Sequence, residues 1–448
     1  MALDQAAAQP IPRAAAALPL LGHAVSLLRD PLAFLTTLAN GDSDLAEIRI
    51  GPLRAVVICD PELTAQVLQQ DQIFDKGGPV FTSGRRIIGN NLVTCPHNEH
   101  RRQRRMTQPT FARTRLAGYG NVMTDQVDNM TRQWSNGQIF DLPVKMSELT
   151  IKIVMKTMFS GELAPSVMEE TLTDVPVIAD GILSRTVLPS ALSRLPTAGN
   201  RRYALAGRRM RAALDDLVVR RRTDTTDYGD LLSALMATRD DGEGVLSETE
   251  ISDQLMIFFI AGAETTGNAL TWALHLIAEH PDIERRLHSE VDRVLAGGPA
   301  RYEQLSQLEL TGHIVSEALR LYPPVWILTR TVSADTWLGG YFLPSGTTVI
   351  YSPYLIHHRG DLYENPERFD PDRWSDERAA IPRTAFIPFS AAARKCIGDV
   401  FGLAEATIAL ATITARWRLQ PVPGGDVRPV ISTVLRPRDL RMRVTARH

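Results

Sequence analysis

The longest continuous pattern of apolar and polar positions lies between Ser247 and Pro281. Ser247-Glu-Thr-Glu250 places a carboxylate three residues after a hydroxyl, a pairing that caps a helix N-terminus reciprocally. Pro281 removes the backbone donor that would continue the helix past His280. A helix over this span is ~50 Å long at ~1.5 Å per residue and crosses a whole domain. Its middle, Leu255-Met-Ile-Phe-Phe-Ile260, is apolar around the full circumference and is predicted to be buried on every face. Ala261-Gly-Ala-Glu-Thr-Thr-Gly267 follows at once, setting a carboxylate and two hydroxyls at the centre of a buried helix.

Elsewhere the pattern alternates between short strands and amphipathic helices. Ala46–Ile50 and Ala55–Cys59 are apolar runs around Gly51-Pro52, and Trp337–Ser352 alternates around Gly339-Gly340 and Pro344-Ser-Gly346; both regions predict β-structure. Asp60-Pro61-Glu62 opens a helix with an acceptor cap and proline in the first position. Asp230–Arg239, Ile283–Leu295 and Val400–Trp417 are further helical stretches. No repeat and no linker divides the chain. The expectation is one large, mainly α domain over residues 19–448 with a small β-rich subdomain, preceded by a flexible arm, residues 1–18.

Composition narrows the function. The 448 residues give a soft prior of about three domains, and with 49 Lys+Arg against 51 Asp+Glu the formal charge is −2, unlike a dedicated nucleic-acid binder. A 44% hydrophobic and 22% charged content is that of an ordinary globular protein. The three cysteines, Cys59, Cys95 and Cys396, form no CxxC pair, which excludes a disulfide framework and argues against a cysteine zinc site. The longest apolar run, Leu255–Ala263, is too short for a bilayer that needs ~20 helical residues. Pro10, Pro12 and Pro19 interrupt an alanine-rich N-terminus that has no basic leader, so the arm is not read as a signal peptide and the cytoplasm is the expected compartment.

Three features carry candidate chemistry. In Glu264-Thr265-Thr266 the hydroxyls either bond back to carbonyls one turn earlier, with Glu264 meeting a distant cation, or the helix opens locally. In the second case Gly262 admits a ligand to the backbone, and acid and hydroxyl relay protons. Glu317-x-x-Arg320 puts opposite charges on one helical face, where an exposed pair contributes only ~0.2–0.5 kcal/mol. Ile314, Val315, Ala318, Leu319 and Leu321 surround this pair with apolar side chains, and a buried guanidinium needs more partners, Arg368 being a candidate third member. Last, Phe386–Gly398 is an irregular stretch that ends in Cys396 directly before an apolar helix. Helix N–H groups and Arg394 there favour a thiolate, whereas Cys59 and Cys95 suit small buried hydrophobes.

Together these residues resemble the cytochrome P450 family of haem-thiolate monooxygenases over nearly the whole chain. Phe389, Arg394, Cys396 and Gly398 match the family's FxxGxRxCxG loop, with Ala392 at the glycine position; a tighter fit of the loop is expected there. Ala261-Gly-Ala-Glu-Thr265 resembles the oxygen-activating segment of the long distal helix, Glu317-x-x-Arg320 the ExxR pair, and Pro366–Phe369 the segment completing it. The resemblance implies haem b between the distal helix and the cysteine-loop helix, with Cys396 as axial metal ligand. His100, Arg104, Arg330 and Arg394 would meet the propionates, and Glu264 and Thr265 would be the catalytic acid and hydroxyl. It further implies reductive activation of dioxygen with electrons from a separate ferredoxin and ferredoxin reductase, since no flavin or nicotinamide fingerprint is present. Arg101, Arg102 and Arg105 form a solvated basic face that could dock an acidic donor.

Phe81, Val93, Ile257, Phe258, Ile260, Ala261, Val325, Trp326, Ile327, Thr433 and Val434 occupy pocket-flanking regions of the family. They suit an apolar ligand, with about half of them expected to be plain core. Whole segments, Phe74–Pro79, His100–Phe111, Val325–Arg330 and Ile350–Leu355, are also similar to terpene oxygenases of actinobacteria. The expected substrate is therefore a sesquiterpene such as pentalenene, oxidised once or from methyl through alcohol to aldehyde, by a monomeric enzyme. A fatty acid, steroid or macrolide is the alternative. Two other classes remain open: a haem-thiolate sensor or carrier, which has no use for Glu264 and Thr265, and a cysteine hydrolase, which needs a histidine beside Cys396.

Overall fold

A computed structural model describes residues 9–447 except 42, 161–164, 188–194, 225, 240–243 and 376–380. The helices are α1 (Ala24–Arg29), α2 (Pro31–Ala39), α3 (Pro61–Gln69), α4 (Pro79–Ile88), α5 (His97–Thr107), α6 (Arg113–Arg132), α7 (Leu142–Phe159) and α8 (Pro165–Val187), followed by α9 (Ala198–Arg222), α10 (Leu231–Ala237), α11 (Glu248–Glu279), α12 (Pro281–Leu295), α13 (Glu309–Leu321), α14 (Pro353–His357) and α15 (Asp399–Arg416). Strands β1 (Leu45–Ile50), β2 (Leu53–Ile58), β3 (Phe74–Asp75), β4 (Ile139–Asp141), β5 (Leu328–Val332), β6 (Thr336–Leu338), β7 (Tyr341–Leu343), β8 (Thr348–Tyr351), β9 (Trp417–Pro421), β10 (Pro429–Ile431), β11 (Leu435–Pro437) and β12 (Arg441–Ala446) make small sheets. The largest has the order β1-β2-β8-β5-β3.

Local signals account for most boundaries. Ser247 and Glu250 close a full capping box on α11, and the Asp60 carboxylate accepts from the Leu63 N–H at 2.7 Å to start α3 behind Pro61. The β1–β2 hairpin turns at Gly51, whose φ of +59° is left-handed. β8 lies parallel to β2 and antiparallel to β5, which brings segments some three hundred residues apart into one sheet. Residues 12–14 run beside β1, with the Glu47 N–H donating to the Pro12 carbonyl at 2.7 Å. Residues 1–8 of the expected arm lie outside the described residues.

Three apolar clusters form the interior. One lies among α6, α12, α13, α15 and the C-terminal half of α11. A second lies under the five-stranded sheet, and a third joins α7–α10 to the N-terminal half of α11. α11 is thus the shared wall of two clusters. Its centre departs from the expectation of burial on every face: Phe258 and Ile260 are half-buried and Ala261 is exposed, although Leu255–Ile257 and Phe259 are buried. An interior space therefore opens beside the middle of the helix.

Candidate active site

The helix that carries Glu264 is unbroken from Glu248 to Glu279. A Cβ at Gly262 would sit 2.7 Å from Val154 Cγ2, so close packing against α7 favours the glycine. Side chains nevertheless bond to the carbonyls of this turn. Thr265 Oγ1 donates to the Ala261 carbonyl at 2.8 Å, Thr150 Oγ1 to that of Ala263 at 2.6 Å, and Asn268 Nδ2 to that of Glu264 at 2.7 Å. Burial pushes the Glu264 carboxyl up to about 7; the Asp180 carboxylate acts in the same direction and Arg436 opposes it. Asp180, on α8, accepts from Ser432 Oγ and lies 3.6 Å from Arg436, so the C-terminal hairpin and α8 meet near the acid. Nothing in the sequence pointed to that pairing.

The cysteine loop reaches the same helix through one ring. Phe111 lies 3.8 Å from where a Gly398 Cβ would be, and packs edge-on against Phe258 of α11 at 5.3 Å and Phe401 of α15 at 6.5 Å. The Cys396 N–H donates to the Phe389 carbonyl at 2.9 Å, and Arg104 donates to the Lys395 carbonyl, pinning the loop to α5. Cys396 is exposed, whereas Cys59 and Cys95 are buried. Desolvation raises the Cys396 thiol and the Gly398 N–H lowers it, with smaller opposing effects from Asp399, Arg104 and Lys395. Burial carries Cys59 up to about 12, with Arg359 opposing and Asp44 and Asp60 adding to the rise. Ala392 adopts φ +55° and Ser390 φ +58°, both left-handed; the departure from glycine therefore shows as backbone strain.

Cations gather at one side. Arg330 is 1% exposed and donates only to neutral groups, the Thr329 carbonyl at 2.9 Å and the Tyr351 hydroxyl at 3.2 Å; no carboxylate among the described residues pairs with it. Arg394 is buried and bridges Asp71 at 2.9 Å and Asp75 at 3.1 Å, also donating to the Cys95 carbonyl. Lys76, which the sequence reading did not single out, belongs to the same group: burial, then Arg330 and Arg394, push its pKa well down. Burial and the charges of Arg394 and Lys76 lower His100 to about 3, leaving it a neutral hydrogen-bonding ring, and Arg104 stands beside it at the edge. A buried guanidinium without an anion and an ammonium held against its charge make a pocket short of negative charge. The two carboxylates of a haem fit that deficit.

The Glu317–Arg320 pair is fully buried. Glu317 Oε1 accepts from Arg320 at 2.8 Å and Arg373 Nε at 3.1 Å, and Oε2 from Arg320 Nε at 2.9 Å and Trp374 Nε1 at 3.0 Å. The third charged member is Arg373, not Arg368. Arg368 is exposed and contributes only its backbone carbonyl, because a turn there directs the side chain outward before the next one brings Arg373 beneath α13.

The family model described as cytochrome P450 matches residues 12–442. The chain belongs to the cytochrome P450 family. It is 43% identical to pentalenene oxygenase of Streptomyces avermitilis over 96% of both chains, and 42% identical to cyclooctatin synthase of Streptomyces melanosporofaciens over 95% of this chain and 93% of that one. Cyclooctat-9-en-7-ol 5-monooxygenase of the latter organism is also 42% identical, over 91% and 89%. A solved structure of the cytochrome P450DA heme domain superposes with a TM-score of 0.88 at 26% identity over 98% of both chains. The P450 is a monooxygenase related to bacterial terpene-modifying oxygenases, and its family implies haem with cysteine-thiolate ligation. Among the described residues no helix is long and apolar enough to cross a membrane. Of the apolar positions named above, Phe81, Ile257, Trp326 and Val434 are buried, Trp326 as part of the core under the sheet. Phe258, Ile260, Val325, Ile327 and Thr433 are half-buried, and Val93 and Ala261 are exposed.

Proposed function

We propose that this P450 oxidises a C–H bond of a sesquiterpene such as pentalenene, in one or several steps, with electrons from a ferredoxin and its reductase, as a cytoplasmic monomer. The observation that carries the reading is the full-length similarity to pentalenene oxygenase. The half-buried apolar side chains beside Ala261, with no charged anchor among them, support it. Haem, when bound, supplies the activation of dioxygen.

The protein's own groups do the rest. Cys396, the one exposed cysteine, would be the metal ligand. Arg330, Arg394, Arg104 and neutral His100, with Lys76, bind the propionates. Glu264 is poised near neutral pH to hold and release a proton at its carboxyl. The Thr265 hydroxyl donates to the Ala261 carbonyl and keeps its lone pairs free to accept; turning away from that carbonyl lets it pass a proton on. Exposed Arg101 suits an acidic electron donor, whereas Arg102 is engaged with Glu250.

A spin-shift titration with sesquiterpenes, fatty acids and macrolides tests the substrate. Tight response to the sesquiterpenes is expected, and a response confined to a polar macrolide overturns it. Thr265→Ala is expected to uncouple oxygen consumption from product formation; unchanged coupling counts against the proton role of Thr265. The hydrolase alternative has no support among the described residues, where no histidine bonds Cys396.

A further inference from the structure

Among the described residues, the two most exposed large apolar side chains lie near the N-terminus: Leu20 is 85% exposed and Leu28 72%. Leu18, Leu21, Val25 and Leu53 are exposed as well, and backbone bonds gather these positions into one face. Leu18 and Gly22 exchange N–H···O bonds of 2.8 and 2.9 Å, and the Gly51 N–H donates to the Leu21 carbonyl at 3.1 Å, which sets the β1–β2 turn and Leu53 beside Leu21. Val25 and Leu28 are three positions apart on α1, a helix with no buried residue. Leu20 holds a left-handed φ of +63°, a strain a leucine bears only where its surroundings enforce it. Between residues 15–16 and α2 an open groove of about 310 Å³ adjoins this face, with Phe34 and Leu38 among its apolar lining and Arg29 and Asp30 among its few polar groups. Exposed Arg29 and Arg54 pair with no carboxylate among the described residues. Of the acids here, Asp30 caps α2 at the Ala33 N–H, 3.0 Å away, and Glu47 faces Arg13 at 3.5 Å. The face is thus apolar at its centre and cationic at its rim.

We propose that this face docks the protein on the surface of an anionic phospholipid bilayer. Leu20, Leu28 and their neighbours enter the boundary between headgroups and acyl chains, Arg29 and Arg54 meet lipid phosphates, and the groove takes part of one acyl chain. Charge decides between occupants. A two-fold contact with a second copy sets Arg29 and Arg54 against the same cations, whereas an anionic surface answers them and an acyl layer answers the leucines. Each cation at such a surface strengthens binding about fivefold, and the attraction falls off within a Debye length. Among the described residues no helix is long and apolar enough to cross the bilayer, so the attachment is peripheral and reversible. It would hold the enzyme where a hydrocarbon dissolves. That use rests on the sesquiterpene reading, whereas the lipid contact does not.

Co-sedimentation of the full-length holoenzyme with vesicles tests it, using phosphatidylglycerol mixed with phosphatidylcholine against phosphatidylcholine alone. Binding is expected to the mixed vesicles and to weaken as salt rises from about 0.1 to about 1 M. Leu20→Asp and Leu28→Asp together are expected to weaken it about tenfold or more, Ala33→Glu, which puts a carboxylate in the groove, to weaken it as well, and Arg29→Gln or Arg54→Gln about fivefold each. Val219→Asp, an exposed apolar position on α9, leaves it unchanged. All these positions are exposed, and retention of the thiolate-ligated carbon-monoxide band shows that each variant is folded. No binding to the mixed vesicles, equal binding to phosphatidylcholine alone, or binding that survives Leu20→Asp with Leu28→Asp each overturns the lipid face. Self-association in place of vesicle binding, lost in the same double variant, gives the face to a second copy and overturns it too. Vesicle binding without sesquiterpene oxidation overturns the substrate reading alone; oxidation without vesicle binding overturns the lipid face alone.

Discussion

Exchanging Arg373 and Arg368 for neutral residues separates two guanidiniums only five positions apart, and the structure assigns them very different consequences. Glu317 is the single anion of a buried group holding Arg320 and Arg373. Glu317→Gln leaves both guanidiniums without a counter-charge, a loss of about 3–5 kcal/mol. Arg373→Met is milder. Arg320 still grips Glu317 through two bonds, and the Asp370 N–H at 3.1 Å and Trp374 remain. Loss of one charge-assisted bond costs about 1.5–3 kcal/mol. Arg368→Ala removes an exposed side chain whose carbonyl is the only part used, so its effect stays within about 0.5 kcal/mol. Urea midpoints of the holoprotein, read by tryptophan fluorescence and by the thiolate-ligated carbon-monoxide band, give the ranking. Arg368→Ala costing as much as Arg373→Met, or Glu317→Gln costing less than Arg373→Met, refutes the charge tally.

Three further outcomes are expected. Ala392→Gly relieves a left-handed alanine worth ~1–2 kcal/mol, offset by ~0.4–1 kcal/mol of unfolded-chain entropy, so the urea midpoint rises; a fall counts against strain at φ +55°. Arg330→Met removes a buried guanidinium that has only neutral partners. The haem-free protein should gain about 1–4 kcal/mol while haem transfers faster to an acceptor globin, and a destabilised haem-free protein disproves the anion deficit. The folded pKa values of Glu264, about 7, and of Glu405, buried on α15, about 8, stand above the ordinary 4.5. Below 4.5 both acids are protonated folded or unfolded and carry no penalty; the penalty grows as pH rises through 4.5 to about 8 and is constant beyond. Glu405→Gln should therefore stabilise more at pH 8 than at pH 5, and equal effects at the two values rule this out.

What could be read from residues alone were the features written in contiguous sequence. The capping box at Ser247, proline and glycine punctuation, the β1–β2 hairpin and the apolar period of α11–α13 and α15 depend on neighbours a few positions apart, so their physics is local. The Cys396 loop and the Glu317–Arg320 spacing were legible for the same reason. The errors and omissions concern groups that the chain brings together from far away. Gly262 is required by Val154 of another helix, and Arg373 displaces Arg368 because a turn decides which of two guanidiniums faces α13. Lys76 matters through Arg330 and Arg394, hundreds of residues on, and Glu264 feels Asp180 and Arg436 across two other elements. Sequence by itself thus determined the family and the helical architecture, and it singled out Cys396 as the candidate ligand. Only the tertiary structure decided which charges are paired, which are left uncompensated and which acids stay neutral, because desolvation and Coulomb energy depend on distance and burial, and neither is encoded by spacing along the chain.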